Sequence, residues 1–340
     1  MSVAHARMGY VEQLGFDGMP QRLYACTPTR LSAWLDCPRR YRMSYLDRPP
    51  PRKGPPWAHN SLGASVHNAL AAWWRLPRAK RSAAAAADLL ERGWIGEGFA
   101  DSLQSARYRR WARGLVEAYV TGLDPASEPI GVERTVATRT DLIAVSGRID
   151  RLDERRDSGG PGELVVVDYK TGRHVLTVDD ARTSLPLALY ALAAERVMRR
   201  PCRRVELHHL PTGRVLAWEH TAESLGRQLR RAEDIAAECA AADERFRAAA
   251  GNGPSVQQLQ PELGGLDGRI DEVFPPRPGS WCGWCDYRSC CPEGSAASEP
   301  RRPWDGLGAQ TADPDPPSGG PQAGALAPEP GATAGAVPPD

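Results

Sequence analysis

The stretch VVVDYKTGR, residues 165–173, joins a run of valines to two charged side chains. The valines predict a strand that is buried in the core of the protein. Because side chains two positions apart in a strand point to the same side, Asp168 and Lys170 share a face that Val167 does not. A D-x-K sequence at a strand end is commonly a plain surface salt bridge, so a functional interpretation depends on the neighbouring motifs.

A second carboxylate lies on the preceding predicted strand, in GRIDR at residues 147–151. If the two strands are antiparallel neighbours, Asp150 and Asp168 lie within a few ångströms of each other. Two carboxylates that close repel each other unless a cation lies between them, and Mg²⁺ or Mn²⁺ prefers such oxygen ligands. Lys170 would hold a water molecule beside the metal. This set of groups is typical of metal-assisted hydrolysis of a phosphodiester.

Two further side chains are candidates for the same site. His67 lies on a predicted helix beside its apolar stripe, and Gly63 one turn earlier would let another element approach closely. A lone histidine in such a place is more often structural than a ligand. Tyr190 lies on the predicted helix that follows the strand of Asp168 and Lys170.

Eight cysteines occur in the chain, and four of them crowd into CGWCDYRSCC at residues 282–291. In a cytosolic protein such clustering favours metal or cluster ligation over disulfides. A four-cysteine site would take three thiolates from this loop and one from far upstream: Cys282, Cys285, Cys291 and Cys37. Cys290 competes with Cys291, which we prefer because a proline follows it, as one follows Cys37. The spacing does not distinguish zinc from an iron–sulfur cluster.

The hydrophobic pattern predicts an α/β (α+β) fold. Helical spacing predicts helices at 27–46, 61–74, 82–98, 101–121, 183–199 and 221–249. Alternation and turn residues predict five strands at 130–140, 142–154, 163–172, 203–213 and 214–221. We expect three segments: a flexible leader at 1–20, the folded domain at 21–295, and a disordered tail rich in proline, glycine and alanine at 296–340.

The bulk composition excludes some classes of protein. The net charge of +1 gives no overall signal for nucleic acid, so any basic surface must be local. No run of eighteen apolar residues and no secretory signal occurs, which predicts a cytoplasmic protein without a membrane span. No G-x-x-x-x-G-K-[ST] motif is present, so the chain carries no P-loop of its own.

Five motifs, taken in order, resemble the RecB-like exonuclease branch of the PD-(D/E)XK nuclease superfamily in its iron–sulfur form. That form includes AddB-type nuclease domains and CRISPR-associated exonucleases, and the resemblance covers roughly residues 27–293. The motifs are LSAWLDCPRRYRM, LGASVHNAL, GRIDR, VVDYKTG and CGWCDYRSCCP. Each motif is weak alone, and five in the family's order are specific.

The resemblance implies a restriction-endonuclease-like mixed sheet and a role for each candidate residue. The ligands of a catalytic Mg²⁺ or Mn²⁺ would be His67, Asp150, Asp168 and the backbone carbonyl of Tyr169. Lys170 would orient the attacking water, and Tyr190 matches a tyrosine of the family's next helix. Glu133 is a weaker candidate. The cysteines that would hold a structural [4Fe–4S] cluster, stapling the N- and C-terminal segments, are Cys37, Cys282, Cys285 and Cys291.

One position departs from the family pattern. The helix of Tyr190 usually carries a glutamine four residues before the tyrosine, and Pro186 stands there in this chain. The departure puts the DNA-contacting role of that helix in doubt, but not the metal site.

The resemblance implies a metal-dependent DNA exonuclease that acts on single strands or strand ends in repair or recombination. Because the chain has no motor motif, it would act alone or with a separate helicase. One alternative is a non-catalytic scaffold that binds DNA ends and keeps the nuclease fold. Another is a nuclease stapled by zinc instead of an iron–sulfur cluster.

Overall fold

The computed structural model describes residues 23–156, 162–251 and 270–308. Its strands are β1 (Tyr24–Cys26), β2 (Gly131–Arg139), β3 (Ile143–Arg155), β4 (Glu163–Lys170), β5 (Arg204–His209) and β6 (Arg214–Glu219). Its helices are α1 (Pro28–Asp36), α2 (Pro38–Tyr45), α3 (Ala58–Trp74), α4 (Ala83–Arg92), α5 (Ser102–Thr121), α6 (Val178–Thr183), α7 (Leu185–Met198), α8 (Ala222–Gly251) and α9 (Pro292–Ala297). Short 3₁₀ turns connect several of them.

The strands form one mixed sheet of six, in the order β1-β3-β4-β5-β6, with β2 also paired to β3. The central strand β3 pairs antiparallel with β2 along one edge. Its other edge pairs with β1 at its start and with β4 at its end. The predicted α/β fold with a mixed, helix-flanked sheet is confirmed, and it is consistent with a restriction-endonuclease-like fold. The sequence pattern predicted five strands; β1, three residues long, is too short to show alternation.

The helix expected at 27–46 is divided in two, and a short helix that was not predicted precedes the helix expected at 183–199. The helix expected at 27–46 ends at Cys37, whose extended backbone (φ −167°) precedes Pro38. A residue before proline avoids the helical region, so the break follows from the sequence Cys-Pro. The helix expected at 183–199 is the second of a pair that meets at Ser184, where the serine side chain caps α7. Pro186 lies in the first turn of α7, where its missing N–H costs no helical hydrogen bond.

Three apolar clusters form the core. The first packs α3, α4 and α5 against one face of β4. The second packs α6 and α7 against the opposite face of the sheet. The third joins α1 and α2 to α8 and Phe274, so that the beginning and the end of the domain bury each other's side chains. The metal-site motifs lie between the first two clusters.

The described chain continues past residue 295, the predicted end of the folded domain. Leu307 is buried in the first cluster, and its carbonyl accepts hydrogen bonds from Tyr108 and Arg173. The predicted leader at 1–20 and the residues beyond 308 lie outside the described part, so the division into three segments stays a prediction. No helix in the described part of the chain is long and apolar enough to cross a membrane.

Candidate active site

Three carboxylates lie in one row across three neighbouring strands. The backbone pairs flank this row: Val132 pairs with Arg151 and Arg134 with Ile149, so Glu133 on β2 faces Asp150 on β3. On the other side, the ladder between β3 and β4 ends at the pair of Arg151 and Val167. The next position on each strand brings Asp150 opposite Asp168. The expected antiparallel pairing of the two acidic motifs is confirmed.

The backbone is irregular where Glu133 faces Asp150. Ile149 and Leu152 belong to the same core cluster, although side chains three apart in a regular strand point to opposite faces. Val132 and Val136 belong to different clusters, although they are four apart. In both strands, the regular alternation of side chains between the two faces of the sheet is therefore interrupted at this pair. Glu133 accommodates the change with φ 50°, a conformation that is strained for a residue with a side chain.

Helix α3 adds an imidazole to the row. Among the described residues, ligand atoms of His67, Glu133 and Asp150 all lie within 4.8 Å of one another. His67 Nδ1 is 3.3 Å from Asp150 Oδ2, and His67 Nε2 is 3.0 Å from the carbonyl oxygen of Tyr169. The Tyr169 N–H donates to Asp150 Oδ2 at 2.9 Å. The backbone of Tyr169 thus contacts both the His67 imidazole and the Asp150 carboxylate.

Asp168 and Lys170 lie at the end of β4, beside this group of three. Lys170 Nζ is 2.7 Å from Asp168 Oδ2, so the two side chains share a face as the alternation predicts. The lysine side chain is nearly half exposed, whereas that of Asp168 is largely buried. The lysine amine therefore stands at the boundary between the carboxylates and solvent.

The two aspartates have pKa values that are shifted in opposite directions. Burial raises the pKa of Asp168, and the Asp150 carboxylate raises it further against the attraction of Lys170. Burial also opposes ionisation of Asp150, but the hydrogen bond and charge of His67 and the Tyr169 amide outweigh it, so the pKa of Asp150 is lowered. Burial likewise opposes the charged form of His67, yet Asp150 raises the pKa of that imidazole. Asp168 is therefore the carboxylate whose charged form an added cation would stabilise most.

These donors fit a hard divalent cation. Carboxylate oxygens are the ligands that Mg²⁺ and Mn²⁺ prefer, and one imidazole is compatible with them. A divalent charge here would offset the repulsion that raises the pKa of Asp168. Glu133, the weaker candidate from the sequence, belongs to the group within 4.8 Å, and Asp168 does not.

The ring of Tyr190, on α7, packs over Gly147 of β3, where no side chain blocks it. A Cβ on Gly147 would lie 2.3 Å from Tyr190 Cε1, so only glycine leaves room for this ring. Burial raises the pKa of Tyr190, and the charges of Asp168 and Asp150 raise it further. Tyr190 is therefore near the carboxylates, with its phenol protonated.

A buried network behind β4, which the sequence motifs did not predict, holds Tyr169 in place. Arg151 donates to the hydroxyls of Tyr169 at 3.2 Å and Tyr119 at 3.0 Å. Trp74 also donates to the Tyr169 hydroxyl, and the Tyr119 hydroxyl lies 2.7 Å from His208 Nδ1. The signal was the arginine of GRIDR on a strand that is otherwise buried, because a buried guanidinium needs partners.

The four predicted cluster cysteines line a single cavity of about 440 Å³. Cys37 lies at the break between α1 and α2, and Cys291 lies just before α9. Backbone N–H groups point at two of the sulfurs: Arg277 N is 3.4 Å from Cys37 Sγ, and Gly294 N is 3.4 Å from Cys291 Sγ.

Cys290 is oriented differently from its neighbour. It is exposed, and its Sγ lies 3.4 Å from the carbonyl oxygen of Arg52.

The cavity walls beside Cys291 are closely packed. A Cβ on Gly294 would lie 3.3 Å from Cys291 Sγ and 3.6 Å from Cys282 Sγ. The donor set of four thiols around one cavity fits a metal or a cluster with four cysteine ligands.

Comparison with known protein families gives a match over most of the described chain. The sequence profile of the PD-(D/E)XK nuclease superfamily matches residues 25–292, which include the row of carboxylates, α3 and all four cavity cysteines. No curated protein matches the chain.

Proposed function

Because this chain belongs to the PD-(D/E)XK nuclease superfamily, we propose that it is a metal-dependent exonuclease that hydrolyses phosphodiester bonds in DNA. Members of this superfamily are typically metal-dependent nucleases. The observation that carries the proposal is the gathering of His67, Glu133 and Asp150 beside the pair of Asp168 and Lys170.

Each residue of the site has a proposed task. The groups that would hold Mg²⁺ or Mn²⁺ are His67, Asp150, Asp168 and the carbonyl of Tyr169, with Glu133 beside them. When bound, the metal supplies Lewis-acid chemistry and lowers the pKa of a bound water. Lys170 would orient the attacking water and stabilise negative charge that develops on the phosphate. The network of Arg151 keeps the Tyr169 backbone in register with His67 and Asp150.

The cysteine cavity would hold a [4Fe–4S] cluster, as in the iron–sulfur branch of RecB-like and AddB-type nucleases. Four thiols around one cavity fit either a zinc ion or a cluster. The choice of a cluster rests on the resemblance of the five motifs.

The proposed substrate is a single DNA strand or a strand end, in repair or recombination in the cytoplasm. The enzyme would act alone or with a separate helicase. This part of the proposal rests on the resemblance of the five motifs.

The test is cleavage of DNA labelled at either end by anaerobically purified protein with Mn²⁺, Mg²⁺ or EDTA. A metal-dependent loss of label, from one end before the other, would support an exonuclease and give its polarity. Internal fragments would show that the protein is an endonuclease and not an exonuclease. A folded protein that binds DNA ends without cleaving them would support the scaffold function.

The strained backbone of Glu133 provides a second prediction. Glu133→Gly should raise the free energy of unfolding by about 1 kcal/mol, because glycine adopts φ 50° without strain. The same change should weaken Mn²⁺ binding, because it removes a carboxylate from the group. Chemical denaturation and Mn²⁺ titration measure the two effects separately.

Glu133→Ala is the matched control. It loses the same carboxylate and the same ion pair with Arg148, whose Nε is 2.7 Å from Glu133, but it keeps a Cβ and therefore the strain. Both variants should bind Mn²⁺ equally weakly, and only the glycine variant should be stabilised. Equal stabilities would show that the backbone strain is not significant, and unchanged Mn²⁺ affinity would remove Glu133 from the metal site.

A further inference from the structure

An exposed aromatic group lies at the N-terminal end of α3. The ring of Trp284 is 5.2 Å from that of Trp57 and 5.8 Å from that of His59, measured between centroids. Trp57 is fixed by its indole N–H, which donates to Asp286 at 2.9 Å. Trp284 is 37% exposed, which is unusual for so large an apolar ring. One tryptophan is thus held by its neighbours and remains open to solvent.

Positive charge accompanies this exposed ring. The Arg301 guanidinium lies 5.6 Å from the centroid of Trp284. The next arginine is used locally, since Arg302 pairs with Asp305 at 2.9 Å. Arg173, from the loop after β4, contacts the same C-terminal segment, with Nη1 donating to the carbonyl of Leu307 at 2.9 Å. An aromatic face next to guanidinium groups favours an anionic ligand that carries flat rings.

One face of α3 connects this group with the metal site. His59, Gly63 and His67 are spaced by four residues and are all partly exposed, with exposed Ala64 between them. Thr171, next to Lys170, lies against Gly63: a Cβ there would be 3.3 Å from its hydroxyl. Eight residues of helix span about 12 Å from His59 to His67, so Trp284, which lies beside His59, is about two helical turns from the metal site.

We propose that Trp284 and Arg301 bind a base and a phosphate of the same single DNA strand that is cleaved at His67 and Lys170. The inference rests on the proposed function and adds a binding subsite to it. A duplex keeps its bases stacked inside, so only an unpaired base can lie on the Trp284 ring. Base stacking also tolerates any sequence, because every base has a flat face.

The experiment compares two substrates and two tryptophans. Trp284→Ala should weaken binding of a labelled oligothymidine about tenfold, measured by fluorescence anisotropy in EDTA at fixed salt. It should raise KM for cleavage of that oligonucleotide to a similar extent. Hydrolysis of bis(p-nitrophenyl) phosphate should not change, because this small diester does not reach from His67 to Trp284. Trp284→Phe should retain most of the affinity.

Trp281→Ala is the matched control. Trp281 is 56% exposed, and both Trp281 and Trp284 line the cysteine cavity. It should leave oligothymidine binding within about twofold of the parent. Equal losses in both variants, or a parallel loss of activity on the small diester, would assign the effect to the cavity and overturn the inference. So would unchanged oligothymidine binding by Trp284→Ala. If the parent cleaves neither substrate, the proposed function fails, while the anisotropy measurement still decides the subsite.

Discussion

Lys170→Ala should lower the rate of DNA cleavage about 10²–10³-fold while oligonucleotide binding stays nearly unchanged. Lys170 is the cation nearest to Asp168, at 2.7 Å, and it stands between the carboxylates and solvent. A group in that place acts on charge that develops during the reaction, and losing one such donor costs a rate factor of this size. Quenched cleavage assays with saturating DNA measure kcat, and anisotropy in EDTA measures binding.

The lysine also affects the metal ligands, and the design has to separate the two effects. Without Lys170 the pKa of Asp168 should rise further, because burial and Asp150 already raise it and the opposing charge is gone. Metal affinity should then fall as well. A kcat that stays low at saturating Mn²⁺ assigns the loss to the attacking water, whereas full rescue by Mn²⁺ would limit Lys170 to supporting the ligands.

Lys80→Ala is a suitable control, because Lys80 is exposed in a 3₁₀ turn remote in sequence from the acidic motifs. It should cleave DNA at the rate of the parent. Unchanged cleavage by Lys170→Ala would remove the lysine from the proposed mechanism.

Cys285→Ser should prevent binding of the proposed iron–sulfur cluster and lower the melting temperature by about 10 °C or more. A structural metal supplies a large share of the folding free energy of the segments that it joins. Here those segments are the helix break at Cys37 and the loop of Cys282, Cys285 and Cys291. The measurements are iron and sulfide content, the visible spectrum and thermal unfolding, all under anaerobic conditions.

Cys290→Ser is the control at the neighbouring position, since the Cys290 sulfur faces the carbonyl of Arg52. This variant should keep its colour and its melting temperature. Loss of colour in Cys290→Ser but not in a Cys291→Ser variant would show that Cys290, and not Cys291, is the ligand. If the parent protein is colourless and contains zinc, the four cysteines bind zinc and not an iron–sulfur cluster.

The strands and the acidic row were predictable because they depend on local sequence rules. Alternation in VVVDYK placed Asp168 and Lys170 on one face, and two consecutive strands brought Asp150 opposite Asp168. The break at Cys37 was also encoded, in the following proline, but the apolar stripe on both sides obscured it.

Other features depend on contacts between distant parts of the chain. Nothing near Glu133 in the sequence signals φ 50°, because the strain is imposed by strands that change faces together. The hydroxyl partners of Arg151 lie on other elements, Tyr119 on α5 and Tyr169 on β4. The three-residue strand β1 forms only because β3 offers it an edge. Tertiary structure decides all three.

The third core cluster determines how the protein can be made. Trp34 and Tyr41, from the first helices, are covered by Ile235 and Phe274, which the ribosome adds about two hundred residues later. Until then these aromatic rings contact only neighbours such as each other, lack their C-terminal cover and are open to chaperones or to aggregation. The domain can therefore close only after nearly all of it has been synthesised, and fragments cut from either end should be insoluble.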